Sequence, residues 1–189
     1  MAMDLGMDSI YAEDINKLAK DHTDKIFYNS NERHATIVLR ALVRNAEKYI
    51  KILCSNMCTD VSNNKEYLDL LESFLLRDSG NMISILFVNY NQNFCKQNIA
   101  KLFARYPEQV KIKKMTDPLS EVCLDESPVH FTVSDDRAFR LETDIENKMP
   151  YGNFNGIEKA KALSNVFDNY FNSDSVEVVN LHTCTTCCC

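Results

Sequence analysis

The stretch from residue 130 to residue 155 concentrates the side chains that could do chemistry: His130, Thr132, Asp135, Asp136, Arg137, Arg140, Glu142, Thr143, Asp144, Asn153 and Asn155. Imidazole, carboxylates, guanidiniums and amides at this density could bind an anion or move a proton. His130 has an ordinary pKa near neutrality, so it is the first candidate for ligand or acid–base work. The same residues also have structural duties open to them. A strand histidine is commonly half-buried and hydrogen-bonded. Asp135 and Asp136 suit a hairpin turn whatever the function. Arg140 and Glu142 alternate with Phe139 and Leu141, which sets up an ion pair along one strand face or across strands. Asn155 suits the N-cap of the helix that follows. Lys111, Lys113 and Lys114 make a small basic ridge, read as a solvated edge rather than a phosphate contact.

The elements that must position these groups are legible as hydrophobic periods. Ile10, Tyr11, Ile15 and Leu18 predict an amphipathic N-terminal helix. Ala35, Val38, Leu39, Leu42, Val43 and Ala46 form one stripe of a helix over 30–47, with Asn29 and Glu32 as its capping box. Residues 49–54 then predict a short buried strand. Asn63 and Glu66 start a second helix, which Asp78-Ser79-Gly80 ends. Residues 82–89 are nearly all apolar, as in a strand covered on both faces. A third helix is predicted over 93–106, stopped by Pro107, and an edge-like strand over 110–115. Residues 129–133 and 138–143 flank an Asp-Asp turn and predict a hairpin. A last helix bears Ile157, Ala160, Leu163, Val166 and Phe167, and 176–181 predicts a final strand.

Alternating helices and strands imply an α/β fold: a mixed, mainly parallel sheet with helices on both faces. The division expected is an N-terminal extension over 1–28, one α/β domain over 29–181 and a cysteine-rich tail over 182–189. In such sheets ligands sit beyond the carboxyl ends of parallel strands. That draws attention to 55–64 and 89–93 as well as to the 127–155 region.

Composition narrows the function. The chain has 189 residues, a net charge of −6, and only four glycines. No glycine-rich phosphate loop occurs, and the acidic balance argues against a chain-wide nucleic-acid footprint. The G-x-S-x-G, H-E-x-x-H and kinase signatures are absent too. Serine, histidine and aspartate are present without a motif that fixes their geometry, so a shuffled triad stays open. No leader and no membrane span are read, and the expectation is a cytoplasmic protein. Eight cysteines then imply reduced thiols rather than a disulfide framework. Cys54 and Cys95 read as core residues. Cys184 to Cys189 read as a frayed tail, and Cys54-x3-Cys58 with Cys184-x2-Cys187 is not read as a zinc site. No cofactor and no metal are expected.

The hairpin H-F-T-V-S-D-D-R-A-F-R-L-E-T, within this order of elements, resembles the phospholipase D-like family over residues 30–181. That family carries His-x-Lys-x4-Asp on a hairpin, then Gly-Ser and an Asn. With Asp135 as the motif Asp, the Lys position falls on His130, the nucleophile position on Pro128, and the Gly-Ser positions on Glu142 and Thr143. With His130 as the nucleophile, the Lys position is Thr132 and the Asp position Arg137. Gly152-Asn153-Phe154-Asn155 is similar to the family's Gly-Ser-x-Asn-Phe stretch. The resemblance implies a histidine that attacks phosphorus, with lysine and amide donors around the transition state and a second unit supplying the general acid. Proline cannot attack, threonine supplies no cation, and Glu142 would repel phosphate.

The reading is therefore a catalytically degenerate unit that serves as a binding or regulatory module. The alternative is a divergent phosphodiesterase or nuclease using His130. Candidate catalytic residues are His130, Asp135 and Thr143; candidate ligand contacts are His130, Arg140, Glu142 and Asn153. A homodimer or a protein partner is expected, because the family joins two such units; nucleic acid is not favoured.

Overall fold

The structure is a computed structural model, and it describes residues 2–55, 57, 59–117, 122–124, 127–143 and 150–181. Helices α1 (Ala2–Lys20), α2 (Glu32–Asn45), α3 (Thr59–Ser62), α4 (Lys65–Arg77), α5 (Asn98–Phe103) and α6 (Ile157–Phe171) surround one large sheet. Its strands are β1 (Phe27–Tyr28), β2 (Tyr49–Cys54), β3 (Met82–Phe87), β4 (Val110–Met115), β7 (His130–Ser134), β8 (Ala138–Glu142), β9 (Tyr151–Asn153) and β10 (Val176–Val178). They lie in the order β1-β9-β8-β7-β2-β3-β4-β10. Short strands β5 (Cys123–Leu124) and β6 (Ser127–Pro128) pair with each other.

The α/β class stands, but the sheet is not mainly parallel. Only β2–β3 and β3–β4 run parallel among the described residues; the other pairings are antiparallel. After β4 the chain returns to the far side of β2, and the hairpin β7–β8 carries the sheet onward through β9 to β1. Strands joined by a tight turn must be antiparallel, and hydrophobic period carries no direction.

Each face of the sheet has its own core. Ile83, Ile85 and Phe87 pack with Leu71, Phe74 and Phe103 beneath α4 and α5. Leu53, Leu86, Phe131, Val133, Phe139 and Leu141 pack against Leu163 and Phe167 of α6. The strict alternation of strand side chains therefore sends His130, Thr132, Arg140 and Glu142 to the opposite face, toward α2. Helix α1 lies on α2 through Ile15 and Ala19, which meet Val38 and Leu42. Ile10, expected on that face, is 64% exposed.

Several boundaries differ from the sequence expectation. Asn31, not Asn29, caps α2 by accepting from the His34 amide at 2.8 Å. Asn64, not Asn63, caps α4. The helix expected over 93–106 is a 3-10 turn over Gln92–Lys96 followed by α5, broken at Gln97, whose backbone is extended. Gly156, not Asn155, precedes α6. Strand β10 is shorter than expected. Cys95 is disulfide-bonded, contrary to the expectation of reduced thiols, while Cys54 is free. Cys58 and the 182–189 tail lie outside the described residues.

Candidate ligand cleft

The antiparallel seat of β7 beside β2 has a consequence for the site. It brings the start of β7 to the carboxyl end of β2, so His130 meets Ser55. The Ser55 hydroxyl and His130 Nε2 are 2.7 Å apart. Across the hairpin, His130 faces Glu142 and Thr132 faces Arg140. All four line a cleft of about 300 Å3 between the sheet and the start of α2. Asn29 also lines it, and Leu39, Ile52, Met57, Val61 and Tyr67 form the apolar wall. A small concave site with an apolar wall and a few convergent polar groups is what small ligands select.

Arg140 and Glu142 sit two residues apart on one strand, so they point the same way. Their side chains are 12% and 19% exposed, and Nη1 stands 3.6 Å from Oε2. That is an ion pair outside hydrogen-bonding distance. Arg140 Nε donates to the Asn29 side-chain oxygen at 3.2 Å. Burial lowers the Arg140 pKa and the Glu142 carboxylate raises it, and it stays a cation at any working pH. Burial also lowers the His130 pKa; Glu142 opposes that shift and Arg140 adds to it. His130 is therefore a neutral imidazole near pH 7. Cys54, also on the wall, has its thiol pushed up to about 12 by burial, so it is no nucleophile.

The structure brings His130, Arg140 and Glu142 together and leaves the other named residues elsewhere. Asp135 lies at the hairpin turn, at the opposite end of β7. Its carboxylate accepts from the amides of Glu47, Lys48 and Tyr49 at 2.7, 2.8 and 3.0 Å. Four strand residues lie between that turn and His130, so the two are five steps of about 3.3 Å apart. The register that makes Asp135 the motif acid thus does not build one site, whereas the register starting at His130 puts His130 and Thr132 side by side in the cleft. Thr143 is half-buried just past β8 and is not among the residues lining the cleft. Asn153 is a buried brace: it donates to Asp24 at 2.7 Å and accepts from the Asn155 amide at 2.8 Å.

Sequence reasoning drew attention to 55–64 without singling out Ser55, and gave Asn29 only a capping role. Their part appears only once β2, β7 and β8 are side by side, and no spacing in the chain signals it. Among the described residues no group of three or more His, Cys, Asp or Glu is placed to hold a metal ion. No helix among them is long and apolar enough to cross a membrane. The basic ridge is occupied: Lys111 donates to the Pro107 carbonyl, Lys113 to the Phe171 carbonyl, and Lys114 pairs with Glu177.

No family model and no curated protein matches this chain. The solved structures similar to it include two at low identity. One is TrmBL2, an archaeal chromatin protein whose structure is described as showing a novel mode of DNA binding. Its TM-score is 0.57 at 13% identity, over 94% of this chain and 65% of that one. The other is the phosphatidylserine synthase of Haemophilus influenzae Rd KW20, with a TM-score of 0.49 at 12% identity, over 82% of this chain and 39% of that one. The chain thus spans less than two-thirds of the length of either structure, and at 13% identity what it shares with TrmBL2 is the fold.

Proposed function

We propose that this chain is a phospholipase D-like module whose cleft binds a ligand without cleaving a phosphodiester. One observation carries the reading: the Glu142 carboxylate lies across from His130 and 3.6 Å from Arg140. A phosphoryl-transfer site needs unopposed positive charge around the transferring group. Here the cation within the cleft is balanced by a carboxylate on the same strand face, and Thr132 stands where the resemblance asks for lysine. His130 is tied to the Ser55 hydroxyl. Binding survives such an arrangement; stabilising a dianionic transition state does not.

The alternative, a phosphodiesterase built on His130, draws support from its neutral imidazole, the nucleophilic form. A nucleic-acid role, suggested by what TrmBL2 binds, has less support, because Lys111, Lys113 and Lys114 are engaged and the chain is acidic. The test is turnover of bis-p-nitrophenyl phosphate, single-stranded DNA and RNA by the purified full chain in EDTA. No turnover above buffer is expected. Metal-independent turnover that His130→Ala abolishes would overturn the reading.

A further inference from the structure

Beyond the presence of a ligand, the cleft specifies a charge pattern. Arg140 and Glu142 carry opposite charges side by side, both largely buried. Buried ions are expensive unless their hydrogen-bonding capacity is met. Here much of it is open. Among the described residues the Glu142 carboxylate accepts no hydrogen bond. Among the described residues the terminal nitrogens of Arg140 make no bond at hydrogen-bonding distance: Nη1 reaches Glu142 only as the 3.6 Å ion pair, and Nε alone is used, by Asn29.

The pair constrains what can complete it. An anion set on Arg140 alone would stand against the Glu142 carboxylate. A cation on Glu142 alone would stand against the guanidinium. A ligand carrying both charges on adjacent atoms meets neither penalty, because its carboxylate faces Arg140 while its ammonium faces Glu142, and the four charges alternate. Each new contact is a charge-assisted hydrogen bond. Beyond the charged end lies the apolar wall of Leu39, Ile52, Met57, Val61 and Tyr67. The volume, about 300 Å3, stands at the small end of ligand pockets.

We infer that the cleft binds a free α-amino acid with an apolar side chain, its carboxylate on Arg140, its ammonium on Glu142 and its side chain on the apolar wall. This rests on the binding-module reading and names the ligand class of that site. The one-carbon separation of carboxylate and ammonium fits neighbouring groups on one strand; a phosphoethanolamine headgroup spaces its charges farther apart.

Isothermal titration of the full chain tests it with L-leucine, L-phenylalanine, 4-methylpentanoate, 3-methylbutylamine and phosphoethanolamine. Leucine or phenylalanine is expected to bind, and the two analogues that lack one charge to bind at least about tenfold more weakly. In Glu142→Gln, nearly isosteric and checked for folding by circular dichroism, the advantage of leucine over 4-methylpentanoate is expected to collapse. Absence of heat with both amino acids at millimolar concentration overturns the inference. So does a 4-methylpentanoate or phosphoethanolamine affinity equal to that of leucine, or an unchanged preference in folded Glu142→Gln. The two readings fail separately: phosphodiester turnover sinks the non-catalytic reading whatever leucine does, and loss of amino-acid binding without turnover sinks this one alone.

Discussion

Replacing Asp135 tests whether this aspartate is a fastener of the fold rather than a member of the site. Its carboxylate takes three consecutive backbone amides, those of Glu47, Lys48 and Tyr49, and so pins the link between α2 and β2 to the hairpin turn. Asp135 also adopts a left-handed backbone, with φ at 53°. Asp135→Ala loses both contributions. Two of the three amides are exposed, so water replaces part of each bond, and about 0.5–1 kcal/mol apiece is a fair cost. Forcing alanine into the left-handed region adds about 1–2 kcal/mol. The loss expected is about 3–4 kcal/mol.

The companions separate the two terms. Asp135→Gly keeps the backbone freedom and loses the carboxylate, for about 2 kcal/mol. Asp135→Asn keeps one acceptor oxygen and tolerates the left-handed region, for about 1 kcal/mol. Urea unfolding followed by circular dichroism reads all three. With a slope of about 2 kcal/mol per molar, the alanine midpoint falls by roughly 1.5–2 M. An alanine variant within about 0.5 kcal/mol of wild type would refute the reasoning, as would a glycine variant no better than alanine.

Three further outcomes are expected. Gly152→Ala would drive a methyl group into the Phe139 carbonyl and the Phe27 ring, costing about 1–3 kcal/mol in urea unfolding as β1 is pushed from β9; unchanged stability would contradict the close approach. His130 has a folded pKa below that of the unfolded chain, so between those two values the unfolded state holds more protons and stability falls as pH drops below about 6.5. The wild-type minus His130→Gln stability difference should therefore shrink as pH falls through that window, and a His130 imidazole that titrates by NMR above 6.5 would reverse the sign. Ile26 and Tyr28 are exposed beside the short edge strand β1, and two copies joined about a two-fold axis would cover them; light scattering under reducing conditions should give a dimer mass, and a monomer at micromolar concentration would defeat that expectation.

The element order and the hairpin were legible because they rest on apolar period and turn chemistry. The stripe through Val38, Leu42 and Val43 is buried as read, and the Asp135-Asp136 turn connects β7 to β8. Strand direction was not legible, since a residue alternates faces identically in either direction. Cap positions slipped by one or two residues where asparagines crowd: Asn29 and Asn31, Asn63 and Asn64. Each asparagine can cap, and the tertiary contact decides which does. Asn29 is taken by Arg140 and Asn63 by the Asn98 amide. Within the site, the Arg140–Glu142 pair could be read from alternation. The partnership of Ser55 with His130 could not, because it joins positions 75 residues apart.

The pairing of β1 with β9 sets a schedule for synthesis. Phe27 opposes Gly152, and Tyr28 opposes Tyr151. A ribosome releases the first partner long before the second, so the nascent chain carries an unmatched β1 through most of elongation. Helices α1 and α2 can dock as soon as both emerge, since their contact is local. The β1 margin of the sheet closes only after the hairpin has laid down β8 and β9 as a template. Contacts of such long sequence separation slow folding. Fragments ending before residue 151 should accordingly expose Phe27 and Phe154's vacant neighbourhood to chaperones, whereas those reaching residue 171 carry every strand but β10 and the helix that seals the second core.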